Sequence, residues 1–230
     1  QAVIKSGDSI SYFGGKSQQM EKNTRVKARV KAQALKEFMS TKDRVVVMGH
    51  KITDVDALGA AIGIYRAGKT LGKSVSIVVN DPTKSIRPLI AGYVNNPDYE
   101  QSMFVDSSQA KDMVDNNTVV VVVDTNRPSY TECEELLHMT KTIVVLDHHR
   151  RGSEVIENAV LSYVEPYASS ACEMVSEILQ YFSDDLRIRN MEADCLYAGI
   201  MIDTNNFTTR AGVRTFEAAA FLRRSGADVT

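Results

Sequence analysis

The apolar positions change rhythm near residue 44. Residues 1–17, QAVIKSGDSISYFGGKS, alternate apolar and polar positions around a Gly-Asp turn and close on Gly14-Gly15. That pattern predicts a short hairpin. A two-stranded ribbon does not fold alone, so these residues are expected to be the tail of an upstream domain. In MEKNTRVKARVKAQALKEFMS, apolar Val26, Val30, Ala34 and Leu35 sit among charges. The spacing predicts an amphipathic linker helix within 18–43.

From residue 44 onward, short apolar runs alternate with helical patterns. Val45–Met48, Ser74–Val79, Thr118–Val123 and Thr142–Leu146 read as strands, the first and the last two as continuous apolar runs of the kind buried on both faces. Phe104-Val105 is a candidate short strand and Val160–Val164 an edge strand. Asp54–Leu71, Ser85–Tyr93, Tyr130–Met139, Ala171–Phe182, Met191–Ile202 and Thr215–Arg224 read as helices. Strands alternating with helices predict an α/β fold over 44–230, a parallel, Rossmann-like sheet with helices on both faces. Ligands of such sheets bind outside the carboxyl ends of the strands.

Composition narrows the picture without deciding it. The chain has 230 residues, 43% of them hydrophobic, enough for a full core. A net charge of -2 gives no overall pull toward duplex nucleic acid or anionic membranes. Basic residues do concentrate between Lys16 and Lys51, as a solvated helix face commonly shows. Cys133, Cys172 and Cys195 have no metal-type spacing and fit a reduced, cytoplasmic setting. No apolar run approaches the roughly 18 residues of a membrane span. With Gln1 first and Thr230 last, the sequence reads as a piece of something longer.

The strand ends carry the chemistry. Three of the four histidines lie there beside acids: His50 after VVVM, then His148 and His149 in LDHH. A single strand-end aspartate ordinarily caps a helix or closes a turn. His50, Asp54, Asp56, Asp124, Asp147, His148, His149 and Asp203 cannot all be caps at one sheet edge. So many carboxylates repel one another unless cations neutralise them. Mixed carboxylate and imidazole ligands without thiolate suit Mn²⁺, with Mg²⁺, Fe²⁺ or Co²⁺ as competitors. The number of ligands exceeds what one ion takes, and two ions about 3.5–4 Å apart with a bridging carboxylate would use them.

The segments GHKITDVDALGAA, VVVVVDTNRP, IVVLDHHRRG and YAGIMIDTNNF resemble, in order and spacing, the four motifs of the DHH phosphoesterase family, over residues 44–230. The details are most similar to the GdpP-type cyclic-di-AMP phosphodiesterases within it. GGKSQQMEKNTRVKARVKAQAL resembles their linker from a degenerate GGDEF-like domain. The resemblance implies two Mn²⁺ ions, one held by His50, Asp54 and Asp124, the other by Asp56, Asp124, His148 and Asp203. It implies that Asp147 orients its neighbours and that His149 acts on the scissile phosphate. It implies hydrolysis of cyclic-di-AMP to 5′-pApA by a metal-activated hydroxide, and a membrane-anchored whole protein with this domain on the cytoplasmic side. Family members continue into a smaller DHH-associated subdomain that binds substrate phosphate. This sequence stops at Thr230, so metal binding is expected to survive and efficient turnover is the weaker expectation.

Around this set lie secondary candidates. Arg150 and Arg151 suit phosphate, Ser169 and Ser170 could cap a helix or bind phosphate at its N-terminus, and Arg210 could reach a nucleotide. The aromatic residues are scattered without the interleaving of a stacking platform. The alternatives are a short-oligoribonucleotide or 3′-phosphoadenosine 5′-phosphate phosphoesterase on the same metal core, a pyrophosphatase, which the GGDEF-like lead-in disfavours, a nucleotide-binding sensor without turnover, and a purely structural module. A homodimer is compatible with all of them.

Overall fold

The computed structural model describes the backbone of residues 2–6, 9–13 and 17–229, and side chains from Arg25 onward. Strands β1 (Ala2–Ser6) and β2 (Ser9–Phe13) pair antiparallel, with Ala2 opposite Phe13 and Ser6 opposite Ser9. The expected Gly-Asp turn and Gly14-Gly15 lie outside the described residues. Helix α1 (Ser17–Ser40) follows and packs against α5 (Ala171–Phe182). Its buried stripe is Ala28, Ala32, Leu35 and Met39, whereas Val26 and Val30 are exposed. Of the four expected apolar positions, Leu35 is buried and Ala34 half-buried, whereas the two valines give way to Ala28 and Ala32. The buried residues are spaced four, three and four apart, and the two alanines let the first half of this stripe lie close against its neighbours.

The main sheet is built from β3 (Arg44–Met48), β4 (Ser74–Val78), β5 (Phe104–Val105), β6 (Thr118–Val123), β7 (Thr142–Asp147) and β8 (Leu161–Val164). All neighbours are parallel, in the order β5-β4-β3-β6-β7-β8. The chain moves outward from β3 to β5, then returns to the other side of β3 as β6. The order reverses between β3 and β6, the place where open parallel sheets form a crevice at their carboxyl edge.

The continuous apolar runs are explained by two cores. Val45, Val47, Val119, Val121, Val123, Val144 and Leu146 face one core, shared with α2 (Val55–Thr70), α5, α6 (Asn190–Asp203) and α7 (Val213–Arg224). Val46, Met48, Val120, Val122, Ile143 and Val145 face the other, closed by α4 (Ser107–Met113) and the segment around Leu136. Helix α3 (Arg87–Val94) completes the set. Helix α4 was not expected from periodicity, although Asp106 and Gln109 form a capping box at its start.

The expected helix over Tyr130–Met139 is replaced by two 3₁₀ turns, Pro128–Tyr130 and Glu134–His138. Between them, Thr131 bridges His50 and the Glu132 N–H donates to the Gly49 carbonyl, 3.0 Å. Those backbone groups are committed to the strand end and cannot continue a helix.

Helices α2, α5 and α6 approach closely because three positions lack a side chain. A Cβ on Gly59 would lie 2.6 Å from the Cys195 carbonyl oxygen, one on Gly63 2.5 Å from Val175 Cγ1, and one on Gly199 2.5 Å from Cys172 Sγ. Arg66 on α2 also forks onto the buried Glu192 of α6, with Nε 2.8 Å and Nη2 2.5 Å from its oxygens. Gly59→Ala is therefore expected to lower stability by about 1–3 kcal/mol through overpacking. Gly152→Ala, which meets open space, is the control. Thermal unfolding of both variants checks this, at roughly 2–4 °C in Tm per kcal/mol.

Candidate metal centre

Each side chain of the cluster is positioned by the end of a strand or helix. The run out of β3 delivers His50. Asp54 is the N-cap of α2, its carboxylate accepting from the Ala57 N–H at 2.9 Å. In the first turn of α2, Asp56 is fully buried and points at the start of α5, where the Ala171 and Cys172 N–H groups donate to its two oxygens at 2.7 and 2.9 Å. A helix N-terminus favours a carboxylate there. β6 runs directly into Asp124, which is 3% exposed and bent into the left-handed region at φ 59°. Strain of this kind concentrates at functional sites. Asp147, His148 and His149 end β7, and Asp203 is the last residue of α6.

These residues converge. His50 Nε2 lies 3.4 Å from Asp124 Oδ2 and 3.6 Å from Asp54 Oδ2. His148 Nε2 lies 3.2 Å from Asp124 Oδ1, 3.5 Å from Asp203 Oδ2 and 3.8 Å from Asp56 Oδ2. His50, Asp54 and Asp124 form one group whose ligand atoms lie within 4.8 Å of one another, and Asp56, His148 and Asp203 form a second. Asp124, His148 and His149 form a third, so Asp124 is shared between groups. Asp147 stands behind them, fully buried. It accepts from the His149 ring Nδ1 at 2.8 Å, the His149 N–H at 3.1 Å and the Asn126 amide.

The electrostatics fit a cation. Burial first, then the charges of Asp124 and Asp203, push Asp56 up to about 8 despite its helix N-terminus. Asp124 and Asp54 raise His50 to about 10. Burial alone would lower His148, but Asp124, Asp56 and Asp203 outweigh it and raise the ring to about 9. Asp147 raises His149. Protons thus accumulate on both imidazoles and on Asp56 to offset crowded negative charge. A divalent cation does the same with more charge in the same place, displacing the protons. Asp124 Oδ1 is buried without a well-directed hydrogen bond, as a ligand oxygen would be. The donor set is carboxylate and imidazole only, and all three cysteines are free and buried. This is the make-up of a divalent-metal site.

In front of the cluster opens a cavity of about 470 Å³, lined by His50, Asp54, Asp124, His149 and Asp203 together with Thr125, Asn126, Arg127, Tyr130 and Arg150. Of the secondary candidates, only Arg150 lines it. Arg151 instead donates to Ser162 Oγ at 3.0 Å on the edge strand. Ser169 and Ser170 are buried and serve α5: Ser169 Oγ donates to Glu173 at 2.5 Å, and Ser170 Oγ caps the Glu173 N–H at 3.0 Å. Arg210 is exposed, left-handed at φ 57°, and near enough to Asp203 to act on its charge. Sequence reasoning passed over Asn126, Arg127 and Tyr130. The sequence signal for Asn126 and Arg127 is their place in VVVVVDTNRP just after Asp124, and Tyr130 lies three residues beyond Arg127.

The fold and the cluster define an α/β domain with a candidate carboxylate–imidazole metal site at its sheet switch point. Residues 44–200 match the DHH family, N-terminal domain, and the chain belongs to that family. It is 44% identical over 232 residues to the cyclic-di-AMP phosphodiesterase GdpP of Bacillus subtilis (strain 168), covering 99% of this chain and 35% of that one. It is 39% identical over 231 residues to the cyclic-di-AMP phosphodiesterase PdeA of Listeria monocytogenes serotype 1/2a (strain 10403S), with the same shares of each chain. The chain thus spans about a third of the length of these relatives. An exopolyphosphatase-related protein from Bacteroides fragilis shares the fold, with TM-score 0.70 at 18% identity over 86% of this chain and 57% of that one. Among the described residues, no helix is long and apolar enough to cross a membrane.

Adding Mn²⁺ to chelator-stripped protein is expected to raise Tm. At a hundredfold excess over Kd the linkage is worth about 2.7 kcal/mol, or roughly 2–4 °C per kcal/mol. Asp124→Asn is expected to abolish the shift, and Asp112→Asn, on the exposed face of α4, to preserve it. Differential scanning calorimetry with and without metal checks both.

Proposed function

We propose that this chain carries the catalytic core of a Mn²⁺-dependent phosphodiesterase that opens cyclic-di-AMP to 5′-pApA. The observation that carries the proposal is Asp124, a buried carboxylate shared between a His50–Asp54 group and a group containing His148, at the rim of a cavity. The 44% and 39% identities to cyclic-di-AMP phosphodiesterases supply the substrate.

In this reading His50, Asp54 and Asp124 would hold one ion, and Asp56, Asp124, His148 and Asp203 would hold the other. Such ions would supply Lewis-acid charge toward the phosphoryl oxygens and lower the pKa of the attacking water. The protein's own part is positional. The α5 N-terminus fixes Asp56, Asp147 fixes the His149 ring through Nδ1, and Asn126 fixes Asp147. His149, 58% exposed at its side chain, presents its other nitrogen to the phosphoryl group or leaving oxygen. Water adds to phosphorus, the bond to the ribose 3′-oxygen breaks, and that oxygen leaves with a proton.

Residues 44–230 form the catalytic unit in this proposal. The β1–β2 pair is the end of a preceding GGDEF-like domain, and 18–43 is a linker helix docked on α5. In the cell the whole protein is membrane-anchored, with this domain on the cytoplasmic side.

The test is chromatography of cyclic-di-AMP with chelator-stripped protein and added Mn²⁺. pApA is expected to appear, and to be absent with Asp124→Ala. Asp147→Asn is expected to reduce turnover about 10–100-fold, as loss of a group that orients ligands does. Cleavage of pyrophosphate in place of cyclic-di-AMP would sink the substrate assignment. Absence of any Mn²⁺ binding would sink the metal assignment.

A further inference from the structure

The cavity carries a feature that metal chemistry does not use. Among the residues that line it, the Arg127 guanidinium lies over the Tyr130 ring, 4.2 Å from its centroid. Both side chains are about half exposed, Arg127 at 44% and Tyr130 at 52%. An exposed arginine–tyrosine stack is common on surfaces, where it is a weak contact. This one differs in how it is held and where it points.

The backbone under it is pinned at three places. The Lys51 N–H donates to the Tyr130 carbonyl at 2.8 Å, one residue beyond His50. Thr131 bridges His50 itself. Glu154 accepts from both the Ser129 N–H and Ser129 Oγ at 2.8 Å. Glu154 thereby spends its oxygens on the 3₁₀ turn and stays 3.9 Å from Arg127 Nη2. Among the described residues the Arg127 guanidinium has no hydrogen-bond acceptor; its partners are the ring beneath it and the Glu154 carboxylate at ion-pair distance. The result is a planar cation on an aromatic face, rigidly tied to a residue of the metal cluster and open to the same cavity.

We propose that the Arg127–Tyr130 stack is a nucleobase platform: a purine ring extends the stack while its phosphate reaches the Asp124 cluster. Stacked aromatic and guanidinium planes accept bases with little sequence demand. A phosphate wall alone would need only cations, and Arg150 already provides one on this cavity. The platform rests on the phosphodiesterase reading and deepens it. It makes the substrate a nucleotide by recognition of its base, where a pyrophosphate-type substrate would leave the stack unused.

The test measures binding of 5′-AMP, ribose 5-phosphate and adenosine to Mn²⁺-loaded protein by calorimetry. 5′-AMP is expected to bind roughly tenfold more tightly than ribose 5-phosphate, the ratio a stacked base confers. Tyr130→Ala and Arg127→Ala are expected to erase that ratio while leaving ribose 5-phosphate unchanged. Tyr130→Phe should keep it, and Arg127→Lys, which loses the plane, should not. Equal affinity for 5′-AMP and ribose 5-phosphate in the wild type overturns the platform and leaves the metal-phosphate reading standing. Affinity for 5′-AMP that is the same with and without Mn²⁺, and lost in Tyr130→Ala, supports the platform and overturns the metal's part in holding the phosphate. No binding of any of the three overturns both.

Discussion

Four carboxylates, those of Asp54, Asp56, Asp124 and Asp203, are crowded around His50 and His148 at the mouth of the sheet. At such spacing like charges in a poorly solvated site repel strongly. Much of the surrounding structure serves to hold them there. Asp56 sits on the α5 N-terminus, which requires α5 to run directly against α2. That contact requires Gly59 and Gly63. Asp203 reaches the cluster because α6 lies against α2 as well, close enough that a Cβ on Gly199 would sit 3.0 Å from Asp56 Cα. The small-residue helix after the first motif is thus a packing consequence of the charge cluster. The left-handed bend at Asp124 is its counterpart on the sheet.

The fold was legible because its strands are all-apolar. TVVVVV and TIVVL admit few readings other than strands covered on both faces, and both core clusters bear that out. The convergence of strand-end residues followed from the parallel topology. What the pattern missed has local causes. The Tyr130–Met139 stretch has helical periodicity, but Thr131 and Glu132 give their backbone groups to the His50 strand end. Val26 and Val30 are apolar and yet face solvent, because small Ala28 and Ala32 are what fit against α5. Within the site, the His and Asp residues could be picked out by their scarcity and position. Ser169 and Ser170 could not be separated into capping and ligand roles until Glu173 was seen to take both. The Arg127–Tyr130 pair was invisible because stacking depends on two side chains three residues apart in an irregular turn. No periodicity marks such a pair.

The two groups that share Asp124 are not equivalent. Asp56 and His148 are almost without exposure, at 0% and 2% of their side chains, and neither lines the cavity. His50 and Asp54 are exposed at 20% and 50%, and both line it. Asp56 and His148 of the inner group are therefore built into the core and coupled to helix packing, with Asp203 at the cavity rim, whereas the outer group opens on solvent. An ion held by Asp56, His148 and Asp203 would join α2, β7 and α6 and act partly as a cross-link. One held by His50 and Asp54 would exchange more freely and meet substrate first. Asp124 connects the two because it ends the strand at which the sheet order reverses, within reach of both β3 and β7. His50 and Asp54 of the outer group line the same cavity as Arg127 and Tyr130, so a base held on the proposed platform would lie in the same space as the more accessible ion.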